Sequence, residues 1–160
     1  MKKLAFVILS IIFIVSASGC AGNDKYYDTV VTFYYCADKI DYTPDASVMQ
    51  CEERIVDCPP NEYKTIMQIY LNGPEKHGMY SPFPSGLTIS EFIVDGDTTY
   101  VTFSENLSYL SGVDLTLACM CIANTCFALT HTQNVDISAE HVLLDNAPSI
   151  LISSGTSVIS

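Results

Sequence analysis

A chain of 160 residues is one domain's worth of polypeptide, and its 18 acidic against 7 basic residues give a formal charge of −11. That balance excludes nucleic acid as a partner, because phosphate recognition needs a basic stripe. Five of the seven basic residues, Lys25, Lys39, Arg54, Lys64 and Lys76, are scattered singly along the chain.

The N-terminus reads as an export signal. Lys2 and Lys3 precede an apolar run over residues 4–15, interrupted by Ser10, and small residues lead into Cys20. Twelve residues rise only ~18 Å as a helix, short of the ~30 Å hydrocarbon core, so a cleaved signal fits better than a membrane span. Ala17-Ser18-Gly19-Cys20 resembles the bacterial lipobox, with Ala17 where leucine is usual. That resemblance implies a signal peptide over residues 1–19, fatty acylation of Cys20 and a lipid-anchored protein on the extracytoplasmic face of the membrane. Residues 20–27 are then a tether, 28–146 the folded domain and 147–160 a frayed tail. Plain secretion with Cys20 left as a thiol is the alternative.

Residues 29–37 alternate Val31, Phe33 and Tyr35 with Thr32, Tyr34 and Cys36, the period of a strand with one face buried. Residues 38–45 are turn chemistry, and residues 48–56 form a weaker extended segment. Tyr63, Ile66, Met67 and Tyr70 fall at i, i+3, i+4 and i+7, which predicts a helix stopped by Gly73-Pro74. Residues 87–94 and 98–103 flank Asp95-Gly96-Asp97, a hairpin signal. Residues 112–131 are apolar nearly all round, as in a helix sandwiched within a fold, with Asn134 as its expected left-handed cap. Residues 135–144 make a last strand. The order predicts an α+β domain: a small mixed sheet with two helices packed on one face.

Six cysteines remain beyond Cys20: Cys36, Cys51, Cys58, Cys119, Cys121 and Cys126. Outside the cytosol an even set suits disulfides, and buried reduced thiols are the alternative. Cys51 and Cys58, bracketing a turn-prone segment, are the candidate local pair. Cys119, Cys121, Cys126 and His131 hint at a metal, but Cys119 and Cys121 lie about 200° apart on a helix, so no metal or other cofactor is expected. A Cys/His hydrolase would draw on Cys119 or Cys126 with His131 or His141, though no signature surrounds any of them. Glu52 and Glu53, and Asp95 with Asp97, read as solvated surface rather than paired catalytic carboxylates. The loop with Met79, Tyr80, Pro82, Phe83 and Pro84 has the composition of a contact patch, unless Tyr80 and Phe83 fold back over the sheet.

Leu71-x-Gly73-Pro74, Ser81-x-x-Pro84-x-Gly86, Asp95-Gly96 and Val101-x-Phe103-Ser104 follow one another in the order of the GerMN domain family of sporulation and spore-germination proteins, which the chain resembles. Leu129-Thr130 and Asn134-Val135 resemble the family's later helix end, with Asn134 in place of glycine. The six cysteines, and the partial match near Arg54, depart from the family pattern. The resemblance implies a non-catalytic module of the bacterial envelope, similar to ring-building domains, that binds or assembles with envelope proteins, peptidoglycan-associated partners or its own copies. It carries over no catalytic residue. An exported hydrolase acting on cell-wall material is the alternative function.

Overall fold

The computed structural model describes residues 26–39 and 47–155, so the expected signal segment and Cys20 lie outside the described residues. The elements are β1 (Thr29–Ala37), β2 (Met49–Val56), α1 (Tyr63–Tyr70), β3 (Met79–Tyr80), β4 (Ile89–Asp95), β5 (Thr98–Phe103), a 3-10 turn (Glu105–Tyr109), α2 (Gly112–Thr130), β6 (Asn134–Ala139) and β7 (Ser149–Ser153). The α+β class is as expected, with one difference: the described strands divide between two sheets. One is antiparallel in the order β2-β1-β3, and the other is mixed in the order β4-β5-β6-β7, with β5 and β6 parallel.

The composition of α2 accounts for the division. A helix apolar on all sides cannot leave a face to water. α2 accordingly lies against β1 on one side and against β6 and β7 on the other, burying Leu115, Ala118, Cys119, Cys121, Ile122, Ala123, Thr125 and Cys126. The shorter α1 is amphipathic: Ile66, Met67 and Tyr70 are buried, and the helix lies against β4. A single core cluster runs from Val31 and Phe33 of β1 through Ile66, Val101, Phe103 and Ile122 to Val135 and Ile137 of β6.

Two local readings are corrected. α2 ends on His131, which takes the left-handed conformation (φ 58°) and returns its N–H to the Phe127 carbonyl, so the expected cap at Asn134 is instead the first residue of β6. The tail expected from residue 147 contains β7, which pairs Ile150 with Ile137 and Ile152 with Val135. The hairpin turns where expected. Asp95 pairs with Thr98, and Gly96 takes the positive φ (56°) that a type II′ turn reserves for glycine.

β3 pairs with only Cys36 and Ala37 of β1, so among the described residues most of that edge of β1 lacks a strand partner. Both helices seal it with side chains. The Tyr34 N–H donates to the Thr125 hydroxyl at 3.0 Å, and the Tyr70 hydroxyl donates to the Tyr34 carbonyl at 2.6 Å. The Tyr35 hydroxyl donates back to the Tyr70 carbonyl at 2.8 Å. The edge amides that would otherwise be buried unpaired are thereby satisfied. Tyr70→Phe should leave the Tyr34 carbonyl without this donor and cost about 1–3 kcal/mol in urea unfolding, with an unchanged far-ultraviolet spectrum.

Candidate functional site

β2 directs every second side chain inward, and on that face it carries Glu52 and Arg54 before Val56. Glu52 is 6% exposed and Arg54 forms an ion pair with it. The Arg54 guanidinium also donates to the Gly73 carbonyl at 3.0 Å, faces the Glu75 carboxylate at 3.5 Å, and stacks 5.0 Å above the centre of the Phe33 ring. Glu52 in turn accepts the backbone N–H groups of Lys76 at 2.9 Å and Glu75 at 3.2 Å. Together the two side chains hold the chain leaving α1, where Gly73 takes a φ of 96° that L side chains rarely adopt.

Glu52 is therefore not the solvated carboxylate expected from sequence, while Glu53, Asp95 and Asp97 are exposed as expected. Glu and Arg two apart on a strand share a face, and that spacing, rather than the adjacent Glu52-Glu53 pair, was the signal for this site. Burial by itself raises the Glu52 carboxyl; the N–H donors of Lys76 and Glu75 together with Arg54 outweigh it and hold the group below its ordinary value. Beside the pair opens a shallow cavity of about 580 Å³ lined by Thr32, Cys51, Glu52, Glu53, Glu75 and Lys76.

The loop that follows divides its candidate residues between core and surface. Met79 is buried in β3. Phe83 folds back, its ring centre 5.0 Å from that of Tyr70 and 6.5 Å from that of Tyr35. Tyr80 is 47% exposed, and Pro82 and Pro84 are half-buried. Tyr80, Pro82, Phe83 and Pro84 form one wall of a groove of about 180 Å³ whose other wall is Leu110, Asp114 and Leu117 at the start of α2. The groove offers apolar contact with a phenol and a carboxylate at its rim. Asn106 fixes the loop's far end by donating to the carbonyls of Ser85 and Gly86.

Among the described residues, the cysteines do not assemble a metal centre. Cys51 is exposed near one end of β2 and Cys58 is buried beyond the other; five residues of extended strand alone, Cys51 to Val56, rise about 16 Å. The expected Cys51–Cys58 disulfide therefore does not form in this fold, since bridged Cα atoms lie within ~7 Å. Burial pushes the Cys119 thiol up to about 12 and Cys126 higher still, so both stay protonated inside α2, while His131 and His141 are exposed in left-handed loop positions. Among the described residues, no group of three or more His, Cys, Asp or Glu is placed to hold a metal ion.

Two sheets flanking a buried helix, with structural glycines and an inward ion pair, define a small α+β module. Residues 32–144 match the family described as Germane, sporulation and spore germination, and the chain belongs to that family. Its fold is similar to the tandem GerMN domains of the sporulation protein GerM from Bacillus subtilis, with a TM-score of 0.61 at 13% identity over 79% of this chain and 45% of that one. The chain thus spans less than half of that tandem structure. It is also similar to the first GerMN domain of the same protein, with a TM-score of 0.58 at 15% identity over 78% of this chain and 94% of the other. No curated protein matches the chain.

Acidification should weaken the fold through Glu52. Its depressed carboxyl contributes stability that is fully present above the ordinary carboxylate range and is lost as pH falls through the folded value. The urea midpoint should drop between about pH 6 and about pH 3, and Glu52→Gln should flatten that drop while lowering stability at neutral pH. Arg54→Met, which strands a buried carboxylate, should cost about 3–5 kcal/mol at neutral pH.

Proposed function

We propose that the protein is a lipid-anchored lipoprotein of the bacterial envelope whose single GerMN-like domain binds or assembles with other envelope components in sporulation or germination, without catalysing a reaction. The family match over residues 32–144 is the observation that carries this reading. The N-terminal pattern ending at Cys20 supports the anchor: two or more acyl chains, each CH₂ contributing about 0.8 kcal/mol when buried, suffice for stable retention. The formal charge of −11 suits a domain held off anionic lipid headgroups.

The loop 79–84 is the proposed contact surface, with a protein or peptidoglycan-associated partner, or a second copy of the chain, seated against Tyr80 and the groove it shares with Asp114. Phe83 contributes by holding the loop to the Tyr35–Tyr70 rings rather than by direct exposure. The non-catalytic reading is supported by the burial of Cys119 and Cys126, the thiols on which a Cys/His hydrolase would depend.

Crosslinking in the native host from a photoreactive residue at position 80 should trap a discrete envelope component. Tyr80→Ala should reduce its capture with the thermal midpoint nearly unchanged, whereas Phe83→Ala should lower stability by about 1–3 kcal/mol. Turnover of peptidoglycan fragments by the purified protein would contradict the binding role. Metabolic labelling with a fatty acid should tag the wild type and leave Cys20→Ala unlabelled; equal labelling would remove the anchor.

A further inference from the structure

We propose that Cys36 of β1 and Cys121 of α2 are a redox pair that closes into a disulfide, covalently joining the three-stranded sheet to the central helix. Their sulfur atoms lie 3.9 Å apart, both side chains are buried, and 85 positions of chain separate them. The contact belongs to an aligned interface rather than to a single pair. Thr125, one helical turn beyond Cys121 on the same face, accepts the N–H of Tyr34, which stands two residues before Cys36 on β1. Strand and helix therefore meet at two successive positions, and the disulfide requires the 3.9 Å sulfur gap to close to ~2.0 Å with the two Cα atoms within ~7 Å of each other.

The remaining thiols are not so placed. Cys119 and Cys126 sit seven residues apart on α2, about 10 Å along its axis, and Cys51 and Cys58 are parted by the length of β2. Cys36 and Cys121 also differ in readiness. The hydrogen bond between the two sulfurs, in which either can donate, pulls the Cys36 thiol down against the opposing effect of burial, and the Tyr80 hydroxyl adds to this; the same bond, with burial, drives Cys121 up. Cys36 lies beside the short β3 and Cys121 within α2, so Cys36 is the attacking thiol and Cys121 the resolving one. Tyr80, half-exposed, pairs directly with Cys36 in the two-residue β3, so parting of this short strand opens the route to the sulfur.

The oxidant is a disulfide of the general form RSSR. The Cys36 thiolate attacks one of its sulfurs, forming a mixed disulfide and releasing RS⁻. Cys121 then loses its proton to that thiolate and attacks the Cys36 sulfur, releasing the second RS⁻, which takes a proton from solvent. Two protein thiols are oxidised to one disulfide, and one RSSR is reduced to two thiols. The physiological setting rests on the extracytoplasmic reading of the chain, where such oxidants persist; the chemistry itself does not.

The test uses the full chain purified in detergent, incubated with oxidised glutathione, then alkylated under denaturing conditions and mapped by mass spectrometry. Cys36 and Cys121 should lose alkylation together, a peptide linking the two should appear, and the thermal midpoint should rise by roughly 5–10 °C. Cys36→Ser should abolish the linked peptide and the rise. Both residues remaining fully alkylatable after incubation at a urea concentration just below the unfolding transition would overturn the proposal, as would linkage of either one to a different cysteine. Because the readout is purified protein, failure here leaves the anchor and binding role to be judged by labelling and crosslinking.

Discussion

Glu52 and Arg54 project from one face of β2 into the space beneath the turn that leaves α1, and the placement of everything up to β3 follows from that pair. Arg54 bonds the Gly73 carbonyl, Glu52 takes two successive backbone amides from Glu75 and Lys76, and Phe33 supplies an aromatic floor under the guanidinium. A buried ion pair gives back in Coulomb attraction roughly what desolvation costs, so its value lies less in net stability than in direction. The Arg54 guanidinium is planar, and one of its terminal nitrogens donates to both the Glu52 carboxylate and the Gly73 carbonyl. The turn at Gly73 is thereby held to β2, and the chain is delivered to β3 and the 79–84 loop in one register.

The second organising feature is the cluster of Phe33, Tyr35, Tyr70 and Phe83. Tyr70 is its centre, stacked on Phe33 at 5.2 Å and tilted against Tyr35 at 4.9 Å by ring centres, and its hydroxyl reaches the open edge of β1. Buried phenols need partners, and here each phenol finds a carbonyl on the other's element, so that sheet and helix are joined reciprocally. Phe83 extends the cluster outward and sets the back wall of the groove. The loop proposed from its composition as a contact surface therefore rests on rigid aromatic packing, which suits recognition by a preformed surface.

Much of this architecture was legible in the chain. The alternation in β1, the i, i+3, i+4, i+7 spacing of α1 and the hairpin at Gly96 are local patterns, and each is realised within a residue or two of where it was read. The all-round apolar character of α2 foretold a sandwiched helix, but not that two separate sheets would supply the covering, because strand pairing is a non-local choice. β7 escaped notice because Ser149–Ser153 is short and follows a tight turn in which Asp145 and Asn146 both take positive φ. Glu52 departs from the solvated position its charge predicts because the amides and guanidinium that hold it inside come from residues up to 24 positions away. The Cys36–Cys121 contact, 85 positions apart, had no local signature at all.

The most direct check on the organising role of β2 is native-state hydrogen exchange at the amides of Glu75 and Lys76, which lie in an otherwise exposed segment. Held by the buried Glu52 carboxylate, both should exchange far more slowly than an unstructured peptide, and the protection should vanish in Glu52→Gln while the core amides of β1 stay protected. Exchange of both amides at unstructured rates in the wild-type protein, with the rest of the fold intact, would contradict the account.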